Sequence, residues 1–369
     1  MKLDSKAFGL APGSARSSEV QNELPARYNL GIGEPLLSKL PSDIYEKAPF
    51  KEGINLYYPA SGDLNLRSLI IDRYYPGHTT DQIAITNGAI GGIDFILRHH
   101  SEFCSEILFP NPGFPPYRKL AEFSKYNSKF YNIILDDIDE TINWDSIFEQ
   151  TTENTKLLLL NSPHNPSGKV LSQYDKEKLL ELLERYPDLY FIMDEVYREL
   201  IFGGEKHLDL TKYLDRGYIV GSFSKVFPIQ GARIGWVLTS VENQKSIESL
   251  FQNVYGSVSS YGQELAKEIL IRKLNYFELY AKVQAQLINE LDRLNLDYIT
   301  PKGSFFCFIK LDRLCDLEVA KELKSLGVIV LPGSAFGSKG KGYIRISFAQ
   351  DIEILKDGLR IIADLNSHK

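Results

Sequence analysis

TKLLLLNSPHNPSGKVLSQYDKEKLLELLERYPDLYFIMDEVY, residues 155–197, carries the alternation that decides the fold. Thr155 to Asn161 and Leu189 to Asp194 are short runs, almost wholly apolar, each closed by a polar residue. Runs of this length and composition suit strands buried on both faces. Between them, Ser172 to Tyr186 places Leu179, Leu182 and Leu183 on one helical face, and Ser172 followed by Asp175 has the composition of a helix N-terminus. The same kind of run recurs outward as QIAIT (Gln82 to Thr86), EILFP (Glu106 to Pro110) and GYIVGS (Gly217 to Ser222). Strand and helix alternating in this way predict an α/β fold with a mainly parallel, helix-covered sheet.

The pattern changes after Tyr255. A charged, helix-like region runs from Tyr261 to Asn295, followed by PKGSFFCFIKL, GVIVLPGSAF and GYIRISFA as strand-like runs and a closing helix. That reads as a second, smaller α+β domain. The expected division is a large domain over residues 46–255, with residues 1–45 as an N-terminal arm and 256–369 as the small domain. A length of 369 residues agrees with about two domains. The hydrophobic set is 43% and charged residues are 24%, a soluble globular balance. Lysine and arginine total 42 against 48 aspartates and glutamates, and a net charge of −6 argues against a nucleic-acid-binding surface. Cys104, Cys307 and Cys315 are too few for a disulfide framework. Neither a signal peptide nor an apolar run of membrane-spanning length is visible, so a cytoplasmic location is the expectation.

Open parallel sheets bind ligands just beyond the carboxyl ends of their strands. Asn87-Gly88-Ala89 follows QIAIT, and Asn111-Pro112-Gly113-Phe114 follows EILFP. SPHNPSG, Ser162 to Gly168, follows TKLLLLN. Asp194, Glu195 and Tyr197 follow LYFIM, and Ser222-Phe223-Ser224-Lys225 follows GYIVG. These groups suit a ligand with a phosphate and a flat ring, and the lysine adds a covalent imine. Each has a plainer reading alone: a strand-end Asp caps a helix, a lysine is solvated, N-P-S-G is a turn and a Phe among prolines packs. His99, His100 and Cys104 have no further clustered ligands, so no metal is expected. Gly31-Ile32-Gly33 fails the dinucleotide pattern because Leu36 stands where a third glycine belongs. GSKGKG, Gly337 to Gly342, lacks P-loop spacing.

Order and spacing tie the weak signals together. Ser222-Phe223-Ser224-Lys225 with Arg233 eight residues beyond the lysine resembles the S-x-S-K signature of class I/II aminotransferases, pyridoxal-phosphate enzymes of fold type I. Asp194-Glu195-Val196-Tyr197 is similar to D-E-x-Y, and Asn165-Pro166-Ser167-Gly168 to N-P-[TS]-G. Pro110 to Phe114, Tyr57 to Gly62 with Leu66-Arg67, Gly31 to Pro35 and Tyr343 to Ala349 resemble further family segments, in family order. The resemblance implies a large pyridoxal-phosphate-binding domain around a mainly parallel seven-stranded sheet, with a smaller α+β domain.

It also implies the roles. Lys225 forms the internal aldimine and shuttles the proton at Cα. Asp194 sits against the pyridine nitrogen and keeps it protonated, while Tyr197 and Asn165 bond the ring's phenolic oxygen. Phe114 stacks on the ring. Gly88, Ala89, Ser222, Ser224 and Arg233 hold the phosphate, and Tyr57 reaches the phosphate of the neighbouring subunit in a homodimer with shared active sites. Arg345 takes the substrate α-carboxylate, with Gly33 and Asn165 lining the same place. The implied activity moves an amino group from an amino acid to a 2-oxo acid, 2-oxoglutarate by default, with ping-pong kinetics. VFPIQ between Lys225 and Gly231, and Ile90-Gly91-Gly92 after the phosphate turn, depart from the family pattern. A carbon–sulfur β-lyase or an amino-acid decarboxylase would use the same motifs. An aminotransferase-like effector-binding regulator is a remote third reading, disfavoured by the acidic net charge.

Overall fold

Leu157, Leu158, Leu159 and Leu160 are at most 1% exposed, which fits a strand covered on both faces. Burying each such side chain contributes about 1.5–3 kcal/mol, so the apolar runs set the middle of the sheet. The computed structural model describes residues 27–44, 57–101, 105–136, 141–312 and 315–367. Most of the expected N-terminal arm (residues 1–26), the start of the expected large domain (residues 46–56) and Cys104 lie outside them.

In chain order the first elements are β1 (Tyr28–Asn29), α1 (Leu64–Tyr74), β2 (Ile83–Asn87), α2 (Gly88–His99), β3 (Glu106–Asn111), α3 (Pro116–Phe123) and β4 (Asn127–Asn132). Then come α4 (Trp144–Gln150), β5 (Thr155–Asn161), α5 (Gln173–Arg185), β6 (Tyr190–Asp194), β7 (Gly217–Ser222) and β8 (Ile234–Leu238). Seven of these strands form one sheet in the order β2-β8-β7-β6-β5-β3-β4. β8 runs antiparallel to both its neighbours, and every other pair is parallel. The fold is α/β with a mainly parallel seven-stranded sheet. α5 begins as its sequence suggests: Ser172 Oγ accepts from Asp175 N, and Asp175 Oδ2 accepts from Ser172 N at 2.7 Å. Asp175 also takes the Trp144 indole N–H at 2.9 Å, which locks α5 to α4.

The remaining elements are α6 (Val241–Val254), α7 (Ser260–Ile271), α8 (Phe277–Arg293), β9 (Tyr298–Ile299), β10 (Phe306–Lys310), α9 (Asp316–Ser325), β11 (Val328–Ile329), β12 (Leu331–Pro332), β13 (Tyr343–Ser347) and α10 (Ile352–Ser367). A second, antiparallel sheet has the order β12-β13-β10-β9. β1 pairs in parallel with β11, so the N-terminal segment returns to the C-terminal part of the chain. The helix-like stretch from Tyr261 to Asn295 is two helices, α7 and α8, because Lys273 adopts φ 52° and ends the first.

Candidate active site

Asp194 ends β6 and is only 4% exposed. Its carboxylate accepts from the Tyr117 hydroxyl at 2.5 Å and from the Val196 backbone N–H at 3.2 Å. The turn itself is fixed by its neighbours, since the Asp194 carbonyl accepts from Ser162 N and Asn161 Nδ2. Burial pushes the carboxyl up to about 6, against the lowering effect of Tyr117, Val196 and the Lys225 charge. Tyr117 was missed in the sequence; it sits three residues beyond Phe114, as the second residue of α3, with its ring edge-on to Phe114 at 5.3 Å.

Lys225 closes a 3-10 turn, Phe223–Lys225, at the end of β7. Nζ donates to the Gly33 carbonyl at 2.9 Å. Burial and the Arg345 guanidinium push the amine down to about 8, with Asp194 and Glu34 pulling the other way. A substantial neutral fraction at neutral pH is what a nucleophilic or proton-accepting lysine requires.

Beside it lies a nest of small donors. Ser222 Oγ donates to Ser224 Oγ at 3.0 Å and accepts from Ser224 N at 3.1 Å. Gly88 opens α2 at φ 67°, where a Cβ would collide with the Arg233 guanidinium. The left-handed backbone is what demands glycine, since the arginine tip could shift aside. Ala89 follows it, 8% exposed, in the first turn of the helix. Arg233 itself takes a left-handed backbone (φ 58°, ψ 47°), and its guanidinium donates to the Gln230 carbonyl at 2.9 Å. A helix N-terminus, two hydroxyls and a guanidinium are the donor types that could hold an anion.

Arg345, on β13, is 1% exposed. Nη1 donates to Asn165 Oδ1 at 3.0 Å and Nη2 to the Gly31 carbonyl at 2.9 Å, while Nε is buried with no partner. The guanidinium lies 3.9 Å from the Phe306 ring centroid and 4.9 Å from that of Phe336. Burial pushes it down to about 9. Gly33 borders the same space, since a Cβ there would meet Phe306 at 3.3 Å and Lys225 Nζ at 3.9 Å. Tyr197 is 2% exposed, edge-on to Phe305 and Phe306, and burial raises its phenol.

Asn165 is positioned by its neighbour. His164 Nε2 donates to the Pro112 carbonyl at 3.1 Å and Nδ1 accepts from Ser167 at 2.7 Å, with burial holding the ring neutral. One imidazole thus joins the Asn165 turn to the Phe114 segment, a role no spacing rule announces. Tyr57 stands apart, 91% exposed. Among the described residues no cluster of His, Cys, Asp or Glu suits a metal, and no helix is long and apolar enough to cross a membrane.

Comparison with known proteins gives a consistent neighbourhood. A family model described as aminotransferase class I and II matches residues 27–361. A probable aspartate aminotransferase of Methanocaldococcus jannaschii is 32% identical, with 91% of this chain and 92% of that protein covered. A (5-formylfuran-3-yl)methyl phosphate transaminase of the same organism is 29% identical over 98% and 97%. The structure of a Thermus thermophilus aspartate aminotransferase double mutant superposes with a TM-score of 0.87 over 99% of this chain and all of that one. At 22% identity that last likeness speaks to the fold alone.

Proposed function

The chain belongs to the class I and II aminotransferases, and from that membership we propose how its site works and on what. It is a pyridoxal-phosphate-dependent aminotransferase. The donor set fits the cofactor: the Lys225, Arg233 and Arg345 cations end their hydrogen bonds on neutral oxygens, and among the described residues none stands in an ion pair. An anionic, ring-bearing ligand would supply the missing counter-charges. Gly88, Ala89, Ser222, Ser224 and Arg233 would hold its phosphate, Phe114 its ring face, Asn165 and Tyr197 its phenolic oxygen, and Asp194 its pyridine nitrogen. When bound, the cofactor supplies an electron sink for the bond pair released at the substrate Cα.

The chain's own groups do the rest. Lys225 would hold the cofactor and, as the free amine, would take the proton from the substrate Cα and return it. Asp194, above pH 6, is an anion that keeps a proton on the atom facing it. Arg345 fixes the α-carboxylate, and with it the direction of the Cα–H bond. The buried Arg345, with its orphaned Nε and no carboxylate partner among the described residues, carries this reading, because such a cation is costly unless a ligand carboxylate completes it. The donor is therefore an amino acid and the acceptor a 2-oxo acid, with 2-oxoglutarate first. Both halves use one site, which makes the kinetics ping-pong. The exposed Tyr57 ring supports a homodimer in which it serves the neighbouring site. A panel of amino acids, aspartate first, against 2-oxoglutarate tests the reading. Glutamate formation with parallel double-reciprocal plots is expected. Release of carbon dioxide, or of pyruvate with sulfide, without any acceptor would overturn it.

A further inference from the structure

Next to Asp194 lies a second buried carboxylate that none of the steps above uses. The Glu195 side chain is 0% exposed. It accepts from the Tyr75 hydroxyl at 2.5 Å, from Arg198 Nη1 at 2.5 Å and from His207 Nε2 at 2.6 Å. Burial alone would raise this carboxyl, but Arg198, His207 and Tyr75 outweigh it and hold it below its usual range. Tyr75 in turn accepts the Trp236 indole N–H at 2.9 Å. The Trp236 ring leans edge-on against Phe223 at 5.4 Å, and its bulk leaves Gly221 no room for a Cβ. Phe223 lies two residues before Lys225 in the same 3-10 turn. One carboxylate is thus linked to the end of β6, to β8 and, through Trp236, to the turn that carries the lysine.

We propose that Glu195 is a positioning residue: through Tyr75 and Trp236 it registers the Asp194 turn against the Lys225 turn and places a fixed negative charge behind Asp194. A scaffold role alone needs none of this charge. An amide or an apolar pair of similar volume would brace the same turns, and buried ion pairs are often no more stabilising than such replacements. What only the charge supplies is a negative potential at the neighbouring carboxylate, and Glu195 is among the groups that act on Asp194. The other titratable groups facing this carboxylate are Tyr75, Arg198 and His207, with Asp209 acting on His207 from outside. The inference rests on the cofactor reading of Asp194 and Lys225.

Glu195→Gln in the cofactor-loaded enzyme tests it. The kcat should fall about tenfold or more with KM for the amino donor changed less than threefold. The pH midpoint of the bound cofactor's visible absorption should move down by at least half a unit, because a lost negative charge favours the neutral form. Tyr75→Phe, which keeps the Glu195 charge but cuts the link to Trp236, should lower kcat with the midpoint unmoved. It also serves if the Gln variant fails to fold, since an unaltered kcat in Tyr75→Phe would by itself refute the registration. A Glu195→Gln protein whose melting temperature drops while kcat and midpoint stay put would show a structural staple and overturn the proposal. If Lys225→Ala keeps wild-type turnover, the cofactor reading itself is at fault, and the two failures are told apart.

Discussion

Asp194 and Glu195 are consecutive, equally buried and treated in opposite ways. Glu195 accepts from the permanent cation Arg198 and from His207, and is held below the usual carboxylate range. Asp194 has a phenol and a backbone N–H, and burial raises it to about 6. The contrast extends outward. Around Glu195, Arg73 pairs with Glu199 at 2.8 Å and Tyr74 donates to the same carboxylate. Around Asp194, Lys225 and Arg345 rest on carbonyl and amide oxygens, and both are pushed down, to about 8 and about 9. Full pairing leaves no charge that needs a ligand to complete it. Partial pairing leaves charges that a ligand completes, at a standing cost to the fold.

The largest effect should come from the least satisfied side. On the proposed reading Lys225→Ala removes both the cofactor's anchor and the proton carrier, so turnover with any amino acid should fall by more than about a thousandfold. Single-turnover assays at saturating cofactor check this, and near-normal rates would mean the partly paired region is not the reactive one. On the scaffold side, Arg198→Met removes the cation from the Glu195 carboxylate, leaves it only Tyr75 and His207, and makes it resemble Asp194. Breaking one partner of such a pair costs about 3–5 kcal/mol, read from urea unfolding. A loss under about 1 kcal/mol would show that Glu195 is less dependent on its partners than its geometry suggests.

The two regions were also unequally legible in the sequence. Asp194 and Lys225 stand at the ends of apolar runs, and Arg345 was singled out by the resemblance of Tyr343 to Ala349 to a family segment. The Glu195 cage was invisible, since Tyr75 and Trp236 lie 120 and 41 positions away and no local pattern joins them. Tyr117 was lost for a milder reason: a tyrosine in the first turn of a short helix reads as packing. The sheet shows the same rule. The five apolar runs became strands within a residue or so, because burial on both faces leaves no alternation to misread. β4, NSKFYN, is a polar edge strand and carried no such signal. β8 was seen only as a motif, and its antiparallel direction follows from a short connection after Lys225 that no composition reveals.

Arg345→Lys keeps the charge and changes its shape, which probes what the partly paired side is for. A guanidinium offers two parallel donors and a plane that lies on Phe306, whereas an ammonium fixes no plane. The expected loss in kcat/KM for amino acids is about 2–4 kcal/mol, shared between binding and proton abstraction. Amines without a carboxylate should react as poorly as before. Equal harm to both classes would move Arg345 from ligand contact to general support.

The smallest effect concerns the cost of leaving Asp194 under-paired. In the folded chain its carboxyl keeps a proton up to about pH 6, while an unfolded aspartate releases it near 3.8. Between those values the folded state binds more protons, so its stability falls as pH rises and stays lowered above pH 6. A two-unit shift corresponds to at most about 3 kcal/mol. Asp194→Asn cannot ionise and escapes that loss, but its amide nitrogen cannot accept from Tyr117, which returns about 1–2 kcal/mol. Stripped of cofactor, the variant should therefore be slightly less stable than the wild type at pH 4 and about 1 kcal/mol more stable at pH 7. The Glu195 carboxyl, with its pKa lowered instead of raised, acts in the opposite sense: its contribution is present above the ordinary glutamate range and lost on acidification. That background is common to both proteins and cancels in their difference. Urea melts of the two at half-unit steps from pH 4 to pH 7 give the curve directly. Parallel curves would show that Asp194 is as well satisfied as its neighbour, and the contrast between the two carboxylates would be one of position alone.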